Sequence, residues 1–387
     1  MVRRNKKKMI VLLVALSVIV AGLIIGLTLP KSNAVIGIIY SEDYAEKYMI
    51  DVETAVSEMI DIENFDESNL IVKITDDNMQ SVYENAASLS EQGCNVVIVI
   101  CEESKDAIEQ ISVENPKIDY CVFRGEEYDS APYSNIKCFN FAYHELRYAE
   151  GYLAGLKIKE MASNGQITDE EKIIGYIADE DNPENISAYS ALYLGAKAAD
   201  KDISFFVKYA AGQDDAYERT AKAMIANSYK VICQQTKNDN VGSVCTENNS
   251  YFIGDDKSEY NILSKKVDLC SYIKYILQCK KDKKDIENRC CGFKDNAFEI
   301  SIVENDAFYG KEKVQTQIDE VINKITDSTV KVFDTGTWTV SGKAIETTLP
   351  DDGSGTEYIK PDGYFAEGEI SPNPHFAFNI DGIIILK

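Results

Sequence analysis

Acids, amides and tyrosines gather at the ends of apolar runs in this sequence. Tyr40, Ser41, Asp43 and Tyr44 close or follow the run at 35–40, and Cys101, Glu102 and Glu103 follow the run at 95–100. Further on, Asp179 and Asp181 follow IIGYIA at 173–178. Gln234 and Gln235 follow KVIC at 230–233, and Asp255 and Asp256 follow YFIG at 251–254. Carboxylates and amides suit hydroxyls and base N–H groups, and tyrosine rings offer faces for stacking. Any one of these residues alone reads equally well as a helix cap or a solvated loop acid. Their recurrence points to recognition of a small polar molecule.

Catalysis is not expected. His144 and His375 are the only histidines, and no G-x-S-x-G elbow, phosphate-binding glycine loop or His-rich metal spacing is present. The acids at 179–181 and 255–256 lack EF-hand spacing, so neither a metal nor any other cofactor is expected.

The elements that must position these residues come in two similar sets. VIGIIYSED at 35–43 returns as IIGYIADED at 173–181. NVVIVICEES at 95–104 returns as YKVICQQTKN at 229–238, and YCVFRGEE at 120–127 as YFIGDD at 251–256. Strands alternate with helical spacing throughout, which implies parallel sheets with helices on both faces. Two doubly wound α/β lobes are therefore expected, at 35–140 and 141–270, followed by a segment at 271–387 that crosses back over both. Ligands in such sheets sit beyond the C-terminal strand ends, which aims both sets of residues at one cleft. The link is FNFAYHELRYAEGYLAGLKIKEMASNG at 139–165. Leu146, Ala149, Leu153 and Leu156 make one apolar helical face, Gly151 and Gly155 admit a close neighbour, and Asn164-Gly165 ends the helix. In the tail, strand-like pieces stand at 330–333, 337–340 and 383–386, and KKDKKDIENR at 280–289 reads as an exposed helix end and loop.

A basic head of Arg3, Arg4, Lys6, Lys7 and Lys8 precedes an apolar run from Met9 to Leu29. That run is long enough to span a bilayer, and the basic flank keeps the short tail inside. The expectation is a cell-membrane protein with a single N-terminal anchor and an extracellular ectodomain. A cleaved signal segment ending near Ser32-Asn33-Ala34 is the alternative. The net charge of −24 excludes the basic footprint that nucleic-acid binding needs. The ten cysteines leave pairing open, since several sit in apolar strand-like runs where a free thiol behaves as a small hydrophobe.

The run FNFAYHELRYAEGYLAG resembles the segment that enters the second lobe in the BMP (basic membrane protein) family. KIIGYIADEDNPENISAYSALYLGAKAA, KYAAGQDDAYERTAKAMI, KVICQQ, YFIGDD and VFDTGTWTVSGKAI at 332–345 follow in register. The resemblance implies a type I periplasmic-binding-protein-like fold and an extracytoplasmic nucleoside-binding role beside an ABC permease. It also implies that Asp256 and Lys265 look towards the ligand's sugar. The chain departs from the family in three places. The Asp-rich Ser-Phe-Asn stretch is missing from 41–53, Gln213 replaces an aromatic, and Lys237-Asn238-Asp239-Asn240 replaces a glycine-rich loop. The expected site is Asp256, Lys265, Tyr40, Asp43, Tyr44, Glu102, Asp181 and Gln234, with Tyr40 or Tyr44 supplying a ring face. The expected protein is a monomer that captures a nucleoside-like molecule for an ABC importer. The other class it could join is a ligand-sensing receptor ectodomain with the same fold and no transport role.

Overall fold

The first apolar run forms β1 (Ile36–Tyr40), and every one of its residues is buried. Such a strand is covered on both faces, as parallel sheets require. The structure is a computed structural model that describes residues 34–387 apart from 61–65, 129, 211–213, 236–238, 256–258, 304–306 and 351–354. The apolar run at 9–29 therefore lies outside the described residues, as do Asp256, Gln213, Lys237 and Asn238. Among the described residues no helix is long and apolar enough to cross a membrane.

After β1 come α1 (Glu42–Lys47), α2 (Val52–Ile60), β2 (Leu70–Ile74), α3 (Met79–Glu91), β3 (Val96–Ile100), α4 (Lys105–Glu114), β4 (Asp119–Phe123) and β5 (Ile136–Phe141). The link is α5 (Tyr143–Ser163). Then follow β6 (Ile173–Ala178), α6 (Pro183–Ala199), β7 (Ser204–Tyr209), α7 (Asp214–Ala226), β8 (Val231–Gln234), α8 (Asp239–Glu247) and β9 (Tyr251–Ile253). The last third holds β10 (Leu263–Val267), α9 (Leu269–Asp282), β11 (Arg289–Cys291), β12 (Phe298–Ile302), α10 (Lys311–Thr326), β13 (Ile359–Lys360), β14 (Tyr364–Phe365) and β15 (Ile383–Leu386). Local chemistry sets several starts. Asn78 and Asn182 accept from the backbone N–H three residues on, at 3.0 and 2.9 Å, and Pro183 opens α6 where its missing N–H has no role.

The strands form two separate parallel sheets, ordered β11-β5-β4-β3-β1-β2 and β15-β7-β6-β8-β9. The two halves are therefore equivalent strand for strand: β1 with β6, β2 with β7, β3 with β8, β4 with β9. The matched glycines share a purpose. A methyl on Gly37 would meet Leu89 of α3 at 2.6 Å, and one on Gly175 would meet Met224 of α7 at 2.6 Å. Each lets the equivalent helix lie close on its sheet. The chain returns to the first lobe through β10 and α9, which packs on α2. It pairs β10 with β12 in a small antiparallel sheet.

The expectations for the linking helix and for the tail need correction. Helix α5 is not amphipathic. Arg147, Tyr148, Glu150 and Lys157 are buried along with the leucine face, because α6, α10 and the second sheet surround it. The segment at 280–289 is the largely exposed helix end and loop that was expected, and only its last residue, Arg289, begins a strand that extends the first sheet beside β5. The pieces at 330–333 and 337–340 are turns with isolated bridges; only 383–386 is a strand, at the edge of the second sheet. Around those turns the tail builds its own aromatic cluster, with Phe333 and Phe376 stacked at 3.9 Å and Trp338 edge-on to Phe376 at 5.3 Å. All ten cysteines are free, and nine are buried. Burial pushes thiols such as Cys101 up to about 12, so they behave as small core hydrophobes.

Helices α5 and α6 meet backbone to backbone. A methyl on Gly151 would run into the Leu192 carbonyl oxygen, one on Gly155 would lie 2.7 Å from the Ala196 oxygen, and one on Gly195 would run into Tyr148. Gly195→Ala should therefore destabilise the chain by about 3 kcal/mol or more, beyond ordinary overpacking. Gly165→Ala faces open space at φ +67, so it should cost only about 1–2 kcal/mol for its left-handed backbone. Urea denaturation of the two variants checks the ranking, and equal losses would refute the close contact.

Candidate functional site

The two sheets approach each other where Arg124, just after β4, faces Glu184 and Gln235 of the second lobe. On the first-lobe side Tyr40 ends β1, buried, with its phenol pKa raised by burial. Ser41 caps α1, and Asp43 is exposed in that helix's first turn. Tyr44 and Tyr48 are buried edge-on to one another at 5.1 Å and to Phe123 at 6.0 and 5.2 Å, forming an aromatic wall. Burial pushes the Tyr44 phenol up to about 12, so it stays a neutral donor at ordinary pH. Glu102 is exposed, and its loop is held by Asp77, which accepts from the backbone N–H of Glu102 and Glu103. A cavity of about 500 Å³ opens here, lined among others by Tyr44, Glu102 and Arg124 and by Asn373 and His375 from the tail.

The second lobe contributes Asp181, exposed and accepting from the Tyr209 hydroxyl at 3.2 Å, and Asp179, which accepts from Tyr217. Gln234 is only 2% exposed within β8, whereas Gln235 beyond it reaches outward. Its Nε2 donates to Glu184 Oε1 at 3.2 Å, and its Oε1 accepts from the Tyr176 hydroxyl at 3.3 Å.

The two lobes touch through Arg124. Its Nη2 donates to Glu184 Oε2 at 2.8 Å, and its Cζ lies 4.8 Å from the Tyr48 ring centroid. Burial works against the Arg124 charge, but Glu184 and the nearby tyrosines outweigh it and raise the guanidinium pKa.

Below the cleft floor lies a buried set of four charges. Arg147 on α5 donates through Nη1 to Asp255 at 2.6 Å and Glu150 at 2.8 Å, and through Nη2 to Asp255 again. Lys265 on β10 donates to Asp255 at 2.7 Å and also to Glu150. Burial would raise the Asp255 pKa, yet Arg147 and Lys265 hold it below the usual carboxylate value. Two cations and two anions cancel, which makes their burial tolerable.

Of the expected site residues, then, Tyr44 and Glu102 line one cavity. Tyr40 at the end of β1, Asp43 in the first turn of α1 and Asp181 after β6 stand outside that lining, Gln234 is buried within its strand, and Asp256 lies outside the described residues. Lys265 is placed differently from the expectation. Its ammonium points into the buried set, because Glu150 and Asp255 claim it there. Sequence reasoning passed over Arg124 and Glu184. Their signal was slight: a lone cation ending a strand where its neighbours end in acids, and an acid one residue after Pro183.

Residues 53–332 match the family of PnrA-like ABC transporter substrate-binding proteins, Bmp. The chain belongs to the Bmp family. The fold agrees with solved structures at low identity. An ABC transporter solute-binding protein from Conexibacter woesei DSM 14684 is 13% identical with a TM-score of 0.59, over 76% of this chain and 97% of that one. One from Aeropyrum pernix K1 is 13% identical with a TM-score of 0.54, over 78% and 92%. A transcriptional activator of the comK gene from Bacillus halodurans is 16% identical with a TM-score of 0.56, over 77% and 99%. No curated protein matches the chain. A Bmp chain is a substrate-binding protein rather than an enzyme, and its role implies a small-molecule ligand and a permease.

Two consequences for this Bmp protein follow from its charges. Lys265→Met leaves Glu150 and Asp255 one cation short in a buried site, so it should cost about 3–5 kcal/mol of stability. A loss of ligand affinity with unchanged stability would show that Lys265 works in the cleft instead. The second consequence concerns Glu367, which ties the tail to α6. It accepts from Ser187 Oγ at 2.7 Å and from the His375 and Phe376 N–H groups at 2.9 and 3.1 Å. Burial lifts its carboxyl from 4.5 to about 7. The native chain thus holds a proton that the unfolded chain releases between pH 4.5 and about 7, and this contribution to stability fades as pH rises through that window. Glu367→Gln should gain stability relative to the wild type as pH goes from about 5 to about 8. Denaturation midpoints of both proteins at the two pH values check it, and a constant difference would refute it.

Proposed function

We propose that this chain is the extracytoplasmic solute-binding component of an ABC importer, held at the cell membrane by residues 9–29, and that it captures a nucleoside-like molecule between its lobes. The observation that carries the reading is the meeting of the two lobes at Arg124 and Glu184 in a Bmp chain, beside a cavity of about 500 Å³ lined by Tyr44, Glu102 and the tail. That volume suits a nucleoside-sized ligand. Tyr44 supports the rim of a base site, Glu102 and Asp181 accept hydroxyl or amino protons, and Asp256 accepts from the sugar. Lys265 acts on the ligand indirectly, by fixing the neighbouring Asp255. A sensor without transport is the second reading, favoured by the structural likeness to a protein described as a transcriptional activator. Loss of uptake on deleting the chain separates the two.

Thermal shift of the purified full chain against nucleosides, bases, sugars and amino acids tests the ligand class. A true ligand at a hundredfold excess over its Kd should stabilise by about 2.7 kcal/mol. Asp256→Ala should then weaken a nucleoside by about tenfold or more, since a carboxylate accepting hydroxyl protons contributes about 1.5–3 kcal/mol. A shift with sugars or amino acids alone rejects the nucleoside class, and equal affinity of Asp256→Ala rejects the sugar contact.

A further inference from the structure

The contact that shuts the cleft has the form of a bound ligand. Arg124 ends β4 with φ 56, a left-handed backbone that a non-glycine residue adopts at some cost. It presents its guanidinium to the other lobe, close to the Tyr48 ring and hydrogen-bonded to Glu184. Glu184 is held from behind, since its second oxygen takes the Gln235 amide and Gln235 in turn takes the Tyr176 hydroxyl. The acceptor is thus built and oriented, and both of its supports come from the second lobe.

The occupant fits less well than the site. Arg124 Nη1 is buried without a hydrogen-bond partner among the described residues, so that arm of the fork goes unused. Both partners are largely shielded, with 16% of the Arg124 side chain and 24% of the Glu184 side chain exposed. A carboxylate so placed needs a donor at all times. The adjoining cavity, which Arg124 also lines, carries Glu102, Glu126 and Glu127 and offers a displaced guanidinium an acidic berth.

We propose that Glu184, backed by Gln235 and faced by Tyr48, recognises a planar ligand edge bearing two adjacent N–H donors, and that Arg124 fills this place until the ligand displaces it. This rests on the solute-binding reading above and narrows its ligand. The shared chemistry is a donor pair such as the Watson–Crick edge of a guanine base or a free guanidinium group; adenine, with one donor beside an acceptor, does not supply it.

Calorimetry on the purified full chain with guanosine, agmatine and adenosine tests this. The expected result is binding of guanosine or agmatine, whichever the cleft admits, with adenosine at least tenfold weaker. Arg124→Gly keeps the left-handed turn and removes the competitor, so the same probe should bind it tenfold or more tighter than the wild type. Glu184→Gln should lose tenfold or more. If Arg124→Gly does not purify, Arg124→Lys, which keeps the charge without the planar fork, should also bind the probe more tightly. Adenosine binding as well as guanosine, unchanged in Glu184→Gln, overturns the proposal and leaves the nucleoside reading standing. Failure of both donor-pair probes to bind wild type and variants overturns it too, whatever other solute the chain takes up.

Discussion

Helices α5 and α6 are in contact through their backbones, and the two-lobed arrangement depends on that contact. Gly151, Gly155 and Gly195 remove the side chains that would hold the axes apart. The contact places α5, which begins at the end of the first sheet, firmly on the face of the second. A strand end of one lobe is thereby tied to the core of the other within a few residues. Such close approach leaves little room for sliding, so relative motion of the lobes must come from rotation about this helix and the strands beside it.

Close packing around α5 has an electrostatic consequence. A helix enclosed on most sides cannot turn a charged face to water, so Arg147 and Glu150 end up in the protein interior. They are tolerable only because Asp255 and Lys265, from the loop after β9 and from β10, bring the opposite charges to them. Replacing such a set with apolar residues can stabilise a protein, so its retention says more about geometry than about stability. Here it locks the loop after β9, where the acids of the second lobe stand, to the crossover strand that returns to the first.

Much of this was legible in the sequence because strands buried on both faces are unbroken apolar runs. The repeated runs with their matched glycines revealed the duplicated lobes, and the strand ends revealed the cleft. The C-terminal third was far less legible. Arg289–Cys291 is a three-residue edge strand with two cysteines, and Ile383–Leu386 joins its sheet at a distance of many residues from β7. The first carries no local signal, because what makes it a strand is a partner edge elsewhere; the second shows as the apolar run IIIL, but nothing local tells which sheet it joins. Lys265 reads as a ligand-facing lysine for a similar reason: only the fold shows that two carboxylates wait for it inside. The Arg124–Glu184 contact was invisible because it joins residues on different lobes, at positions where hydropathy is uninformative.

That contact changes how binding energy should be reckoned in this protein. A two-lobed receptor that stands open must have its closure driven by the ligand, whereas here the ion pair of Arg124 with Glu184 already joins the two lobes. An incoming molecule gains only the difference between its own contacts and those it replaces. A molecule that merely fits the volume gains little, because it would leave Glu184 with the Gln235 amide alone and no cation in a shielded place. One that supplies both donors satisfies Glu184 and releases Arg124 from its strained turn and unused nitrogen. Selectivity then arises from the exchange itself: the protein tests each solute against its own arginine.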